Sequence, residues 1–216
     1  MEVSIIIPYN KDRGFLIEAI RSATLQTGMK YGVDYEIVIQ QGDASLGVNF
    51  NNAVKRSKGK YLKTLADDDL LTPNSIHDLW TKARQGFDVV CGGAINFTDK
   101  EETVQFSRVP RSLHELALNN TIHGGTVIYS REAFMAVGGF DEGMWTAEEY
   151  DLHLRMAKAG AKFTEIDRIV YRYRMHVGQK SSTYWAKDPK TGEYRFEYIE
   201  RLQNRFLNDH TKIVTS

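Results

Sequence analysis

The chain has 216 residues and a mass of 24.7 kDa, long enough to bury roughly 70% of its unfolded surface without a disulfide or metal staple. Its 28 basic and 28 acidic residues balance to zero formal charge, which argues against a nucleic-acid binder held by phosphate neutralisation. Disorder is excluded by 42% hydrophobic residues, with 3 Trp, 11 Tyr and 10 Phe, and the lone Cys91 excludes an internal disulfide or a cysteine zinc site. No apolar run approaches the roughly 20 residues of a membrane-spanning helix. Met1-Glu2-Val3 leads into a strand with no apolar signal core, so the expectation is a soluble, cytoplasmic chain without a transmembrane segment.

Residues 3–8 (V-S-I-I-I-P) form a nearly continuous β-branched run, the pattern of a strand buried on both faces. Phe15, Leu16, Ala19, Ile20 and Ala23 then recur at helical spacing. A second strand is predicted over 35–39, and a short helix over 49–57 closed by Gly59. The third strand is 61–65. Pro73 opens a helix with Ile76, Leu79, Trp80 and Ala83 on one face, and the fourth strand is 87–91. Such alternation predicts an α/β fold with a mostly parallel sheet and helices on both faces. In the second half, strands are predicted at 125–129, 162–166 and 169–173, a helix at 146–159, and a C-terminal helix from the four-residue spacing of Tyr194, Tyr198, Leu202 and Phe206. Without repeats or linkers, the expectation is one domain over 1–216.

Ligands of open α/β sheets bind at the carboxyl ends of the strands. Here those ends carry Tyr9-Asn10-Lys11-Asp12, Gln40-Gln41-Gly42-Asp43 and Ala66-Asp67-Asp68-Asp69. Three consecutive carboxylates after a core strand repel one another and point to a compensating cation. The alternative is an acidic flank that complements the dipole of the next helix. His123-Gly124-Gly125 sets two glycines before a strand, where backbone can approach a ligand closely. Trp145, taken by itself, reads as a core aromatic.

These motifs, with Gly138-Gly139-Phe140-Asp141-Glu142, Glu148-Glu149-Tyr150-Asp151-Leu152 and Tyr173-Arg174-Met175-His176 following in order, resemble the family 2 glycosyltransferases, inverting enzymes of the GT-A fold. The resemblance spans residues 3 to about 181 and implies a nucleotide-binding half over about 1–100 and an acceptor-binding half over about 101–216 of the single domain. It implies a Rossmann-like α/β fold and transfer of a sugar from a nucleoside-diphosphate donor, UDP-linked by implication, to a hydroxyl of a glycan or other acceptor. It implies that Asp68 holds a divalent cation, Mn2+ or Mg2+, with Asp69 and His176 in the metal set and Asp67 near the ribose. Pro8, Tyr9, Asn10, Gln41, Asn51, Arg174 and Lys180 complete the donor-binding group, and His123, Gly124, Trp145 and Glu148 fall on the acceptor or sugar side. Tyr9 stacks on the base or is an ordinary half-buried aromatic.

Two positions depart from the family pattern. Gln40 and Gln41 stand where an acidic pair contacts the nucleoside, although an amide can still pair with an imide edge. Glu149 stands where the family's catalytic base is an aspartate; it is one methylene longer and chemically equivalent. Glu148 or Asp151 is the alternative base. The competing functions are a nucleotidyltransferase, whose Gly-rich triphosphate loop is not matched by Pro8-Tyr9-Asn10-Lys11, and a non-catalytic sugar- or nucleotide-binding module.

Overall fold

In the computed structural model, residues 1–176, 179 and 185–215 are described. The elements are β1 (Val3–Tyr9), α1 (Leu16–Thr24), β2 (Tyr35–Gln41), α2 (Leu46–Arg56), β3 (Tyr61–Thr64), β4 (Leu70–Leu71), α3 (Ser75–Ala83), β5 (Val89–Phe97), β6 (Glu102–Phe106) and α4 (Leu113–Leu118). A 3-10 turn (Gly124–Thr126), β7 (Ile128–Ser130), α5 (Arg131–Ala136), α6 (Glu148–Lys158), β8 (Phe163–Arg174) and α7 (Arg195–Asn204) follow. No helix among the described residues is long and apolar enough to cross a membrane.

One eight-stranded sheet runs in the order β2-β1-β3-β7-β5-β8-β4, with β6 added on β5. β1, β2, β3, β5 and β8 point the same way, while β4, β6 and β7 run against them. The expected mostly parallel α/β sheet is therefore present. Its β-branched first strand is buried on both sides for a physical reason. Val3, Ile5 and Ile7 pack with α1 and α3, whereas Ile6, on the opposite face of the same strand, packs with α2, α5 and α6.

The structure corrects several boundaries. The strands expected at 162–166 and 169–173 are one strand, β8, accommodated by register shifts against β5 between Cys91 and Ala94. The strand expected at 125–129 is mostly the 3-10 turn, with β7 beginning only at Ile128. Helix α2 starts three residues earlier than its apolar pattern, because the Ser45 hydroxyl caps it by accepting from Val48 N–H (3.4 Å). It ends on Ser57 in extended conformation, so Gly59 is not its cap. Gly59 has a different necessity: a Cβ there would stand 2.3 Å from the Ser4 nitrogen on β1. The strands β4 and β6 carry no clear sequence signal.

Candidate active site

Parallel register brings the predicted motifs to one edge. Tyr9 pairs with Gln41 and Ile6 with Thr64, so all three motifs leave the sheet side by side. Tyr9 carbonyl accepts from Gly42 N–H (3.0 Å) and from the Asn49 amide (3.4 Å), and the Gln41 amide lies 3.5 Å from Asn10 carbonyl. These contacts lock the loops after β1 and β2 together, with Pro8 buried and Tyr9 half-buried beneath them.

The acidic turn divides by direction. Asp69, 2% exposed, faces inward: it accepts from Tyr171 hydroxyl (2.8 Å) and from Arg174 N–H (2.8 Å). Burial, reinforced by the Asp68 charge, holds its carboxyl well above the usual range. Each Asp69 oxygen therefore accepts one hydrogen bond from the β8 side. Asp67 and Asp68 are also buried, 8% and 7% exposed, but turn toward Arg13 and His176. Arg13 donates to Asp67 Oδ1 (3.2 Å) and Asp68 Oδ2 (2.8 Å), and His176 Nε2 lies 3.0 Å from that same Asp68 oxygen. Burial raises the Asp67 pKa and Arg13 opposes the shift. Arg174 braces the turn through its Nε on Asp68 carbonyl (2.8 Å) and pairs with Glu18 (2.6 Å), while its guanidinium lies over Phe15 and Phe97.

Across the edge, Glu149 sits in the first turn of α6. Its side chain lies against Gly124 so closely that a Cβ there would be 2.7 Å from Glu149 Cγ. Ahead of the helix, Ala147 adopts a left-handed conformation (φ 57°), the one such non-glycine backbone among the described residues. Glu148 points into the protein and is 4% exposed, while Glu149 is half-buried. Asp151 is fully buried, with one oxygen on Arg155 Nε (2.6 Å). Its burial and that pairing argue against the Asp151 alternative for the base.

The two sides are joined by a residue the sequence reading passed over. Lys63, fully buried on β3, donates to the carbonyls of Thr64 (2.8 Å) and Gly125 (2.5 Å), and its ammonium stands 4.9 Å from the centre of the Tyr171 ring. Burial pushes its pKa down to about 7, with Asp69 opposing. Tyr171 in turn holds Asp69, so one chain of contacts runs from the acidic turn through Tyr171 and Lys63 to Gly125 and Gly124 against Glu149. His123 completes the turn: its Nδ1 accepts from Gly125 N–H (3.1 Å), and burial, then the Lys63 charge, push its pKa down to about 4. It is a neutral acceptor at neutral pH, packed edge-on against Tyr173 (5.0 Å). A lysine inside an otherwise apolar strand, Tyr61-Leu62-Lys63-Thr64-Leu65, is the signal that could have found Lys63. Arg13 carried none.

Two predicted positions fall apart from this edge, Asn51 and Trp145. The Asn51 amide donates to Phe140 carbonyl (2.8 Å) and Glu142 (3.1 Å) and accepts from Phe140 N–H (3.1 Å), tying α2 to the glycine turn before α6. Trp145 is half-buried and packs edge-on against Tyr198 (6.2 Å). Lys180 lies outside the described residues.

Comparison with known proteins gives two matching family models. "Glycosyl transferase family 2" covers residues 37–138, which contain the acidic turn, and "N-terminal domain of galactosyltransferase" covers 105–179, which contain Glu149 and His176. An uncharacterized glycosyltransferase of Rickettsia typhi is 26% identical over 97% of this chain and 73% of its own length. One from Rickettsia conorii is 26% identical over 82% of this chain but only 35% of its own length. The chondroitin synthase of Escherichia coli is 25% identical over 67% of this chain and 21% of its own. Among solved structures, S. aureus TarS 1-349 in complex with UDP-GlcNAc superposes with a TM-score of 0.70 at 15% identity, over 96% of this chain and 72% of that one. The same protein in complex with UDP gives 0.66 at 17% identity, covering 97% and 66%.

Proposed function

The chain belongs to glycosyltransferase family 2 and has the GT-A fold, and from that premise we propose that it transfers a sugar from a UDP-sugar to an acceptor hydroxyl with inversion, assisted by a divalent cation. The observation that carries this reading is the convergence of two chemistries on one edge. A buried acidic pair held by Arg13 and a histidine stands on one side, and a half-buried glutamate against Gly124 stands on the other.

The donor set fits a hard cation. Asp68 and His176 meet at one carboxylate oxygen, and no group of three His, Cys, Asp or Glu side chains among the described residues could hold a metal. Two protein ligands suit Mg2+ or Mn2+, which take the rest of their shell from water and substrate phosphates. Such a cation stabilises negative charge on the departing diphosphate. The protein's own part is distinct. Arg13, 40% exposed on its side chain, neutralises Asp67 and Asp68 and, once released from Asp68, is placed to take diphosphate oxygens. Asp67 and the loops at Tyr9–Asn10 and Gln41–Gly42 bind the nucleoside. Glu149 takes the acceptor hydroxyl's proton as that oxygen forms its bond to the anomeric carbon. The bond to the diphosphate oxygen breaks on the opposite face with its electron pair, which inverts the centre. The family's acidic nucleoside pair is Gln40–Gln41 here, and Gln40 is held by Arg56 (2.7 Å).

The test is UDP release from a panel of UDP-sugars, UDP-GlcNAc first, with Mn2+ or with EDTA, in the wild type and Asp68→Asn. Turnover that needs the cation and fails in a folded Asp68→Asn protein is expected. Without metal that variant should change little in stability, because relief of repulsion within the triplet is offset by weakening of the Arg13 and His176 contacts to Asp68. Activity surviving EDTA in both proteins would remove the metal from the reading; no turnover of any UDP-sugar would remove the donor.

A further inference from the structure

A second concave site lies beyond the catalytic edge, between the turn before α6 and the helix α7. It is a cleft of about 300 Å³ lined by Asp141, Met144, Glu193, Tyr198, Arg201 and Arg205 among others, the lower end of the size range of small-molecule sites. Four observations set its chemistry. Its charges nearly cancel: Asp141, Asp188 and Glu193 face Arg201 and Arg205, and Glu193 already holds Arg201 by two contacts (3.1 and 3.0 Å). An anion would find no net positive field there. The cleft also offers an aromatic ring, Tyr198, which packs against Trp145 four residues before Glu149.

Beneath it lies an unsatisfied buried acceptor. Asp151, with no exposed surface, gives Oδ2 to Arg155 but has no hydrogen-bond partner for Oδ1 among the described residues. That oxygen faces the cleft-lining Arg205 across 3.8 Å, too far for a hydrogen bond. An orphaned buried carboxylate oxygen is costly, and the cleft-lining Arg205 is the charge that compensates it from the cleft side. Finally, α7 is tied to the segment that leads into α6: Arg195 at its start bonds Thr146 (3.0 Å), two residues ahead of Glu148, and Tyr198 packs on Trp145.

Paired carboxylates and guanidinium groups around one aromatic ring match a ligand dense in hydroxyls with one apolar face. The hydroxyls donate to carboxylates and accept from guanidinium groups, and the C–H face of the sugar ring takes the place over Tyr198 that the Arg201 guanidinium holds at 4.7 Å from the ring centre. We propose that this cleft binds a neutral sugar unit of the acceptor, so that the acceptor is an oligosaccharide extending from Glu149 to α7. The proposal rests on the glycosyltransferase reading and gives its acceptor a chemical class.

The experiment uses the full chain on an array of immobilised neutral and anionic oligosaccharides, with wild type, Asp141→Asn and Arg205→Gln compared. Both positions are exposed enough for the variants to fold, which their melting temperatures check. In parallel, the thermal shift on adding UDP with Mn2+ reads the donor site alone. The expected result is retention of neutral oligosaccharides by the wild type, falling about tenfold or more in each variant, with the UDP shift unchanged. The proposal is overturned if the wild type retains no oligosaccharide or only anionic ones. Undiminished retention by both folded variants overturns it as well. A missing UDP shift beside variant-sensitive retention would remove the donor reading and leave the cleft standing.

Discussion

Adding one methyl group at Gly124 tests the assignment of Glu149 without touching a charged atom. The backbone of Gly124 lies outside the left-handed region, so alanine is conformationally acceptable there. Its Cβ, however, would stand 2.7 Å from Glu149 Cγ, 2.9 Å from its Cβ and 3.1 Å from its Cδ, where ordinary contact begins at 3.4 Å. The shortfall at Cγ, 3.4 less 2.7, is about 0.7 Å, and the carboxylate beyond it moves by roughly 1 Å. A displacement of that size costs a positioned catalytic group on the order of 10²-fold. Stability should fall modestly, because the 2.9 Å approach to Glu149 Cβ is relieved only by backbone movement, while alanine's smaller loss of chain entropy, about 0.4–1 kcal/mol, offsets part of it. Initial transfer rates at saturating donor and acceptor should therefore fall about 10²-fold, with UDP affinity by calorimetry unchanged. Glu149→Gln should lose about 10²–10⁴-fold under the same conditions. The double variant should be no slower than Glu149→Gln, since both changes act on one carboxylate. A folded Gly124→Ala protein that keeps most of its rate, or a double variant whose losses multiply, would refute Glu149 as the base. Gly125→Ala is the contrast: its Cβ would meet Tyr171 Cε1 at 2.3 Å, a buried ring pinned to Asp69, so that variant should fail in folding.

Asn51→Ala should cost about 2–5 kcal/mol in chemical denaturation, because Phe140 N–H and carbonyl both lose their partner in a buried setting. Its folded fraction should bind UDP normally; weakened UDP binding at unchanged stability would return Asn51 to the donor site. His153 is fully buried with Nε2 on Tyr129 hydroxyl (2.8 Å), and burial pushes its pKa down to about 3. The unfolded chain binds this proton below about pH 6.5 while the folded one does not, so stability is lost as pH falls from there toward 3. His153→Gln, which keeps an amide near Tyr129, should flatten that acid limb by several kcal/mol. Asp69, held above its usual range, works in the opposite direction, so the wild-type-minus-variant difference is the quantity to measure. An identical acid limb in both proteins would show that His153 is not held neutral.

The sequence by itself determined the parts of this protein that depend on local pattern. The β-branched run of Val3 to Ile7 required a strand covered on both faces, and two helical layers cover it. Parallel strands with turn motifs at their carboxyl ends placed Tyr9–Asn10, Gln41 and the Asp67–Asp69 turn along one edge, because register in a parallel sheet fixes which ends are neighbours. Three adjacent carboxylates marked that turn, since like charges are not crowded together without compensation.

What tertiary structure alone decided was the direction and engagement of each side chain. Whether Asp69 faces a ligand or Tyr171 depends on β8, more than a hundred residues away in sequence, and no local pattern carries that contact. Asn51 looks like a polar helix residue until the glycine turn at Phe140 closes on it. Arg13 becomes the counter-charge of Asp67 and Asp68 only when the loop after β1 folds over the acidic turn. Lys63 shows both levels at once. Its presence in an apolar strand is a sequence fact, but its purpose is visible only where Tyr171, Thr64 and Gly125 converge on its ammonium, because a buried cation needs acceptors that distant chain segments must supply.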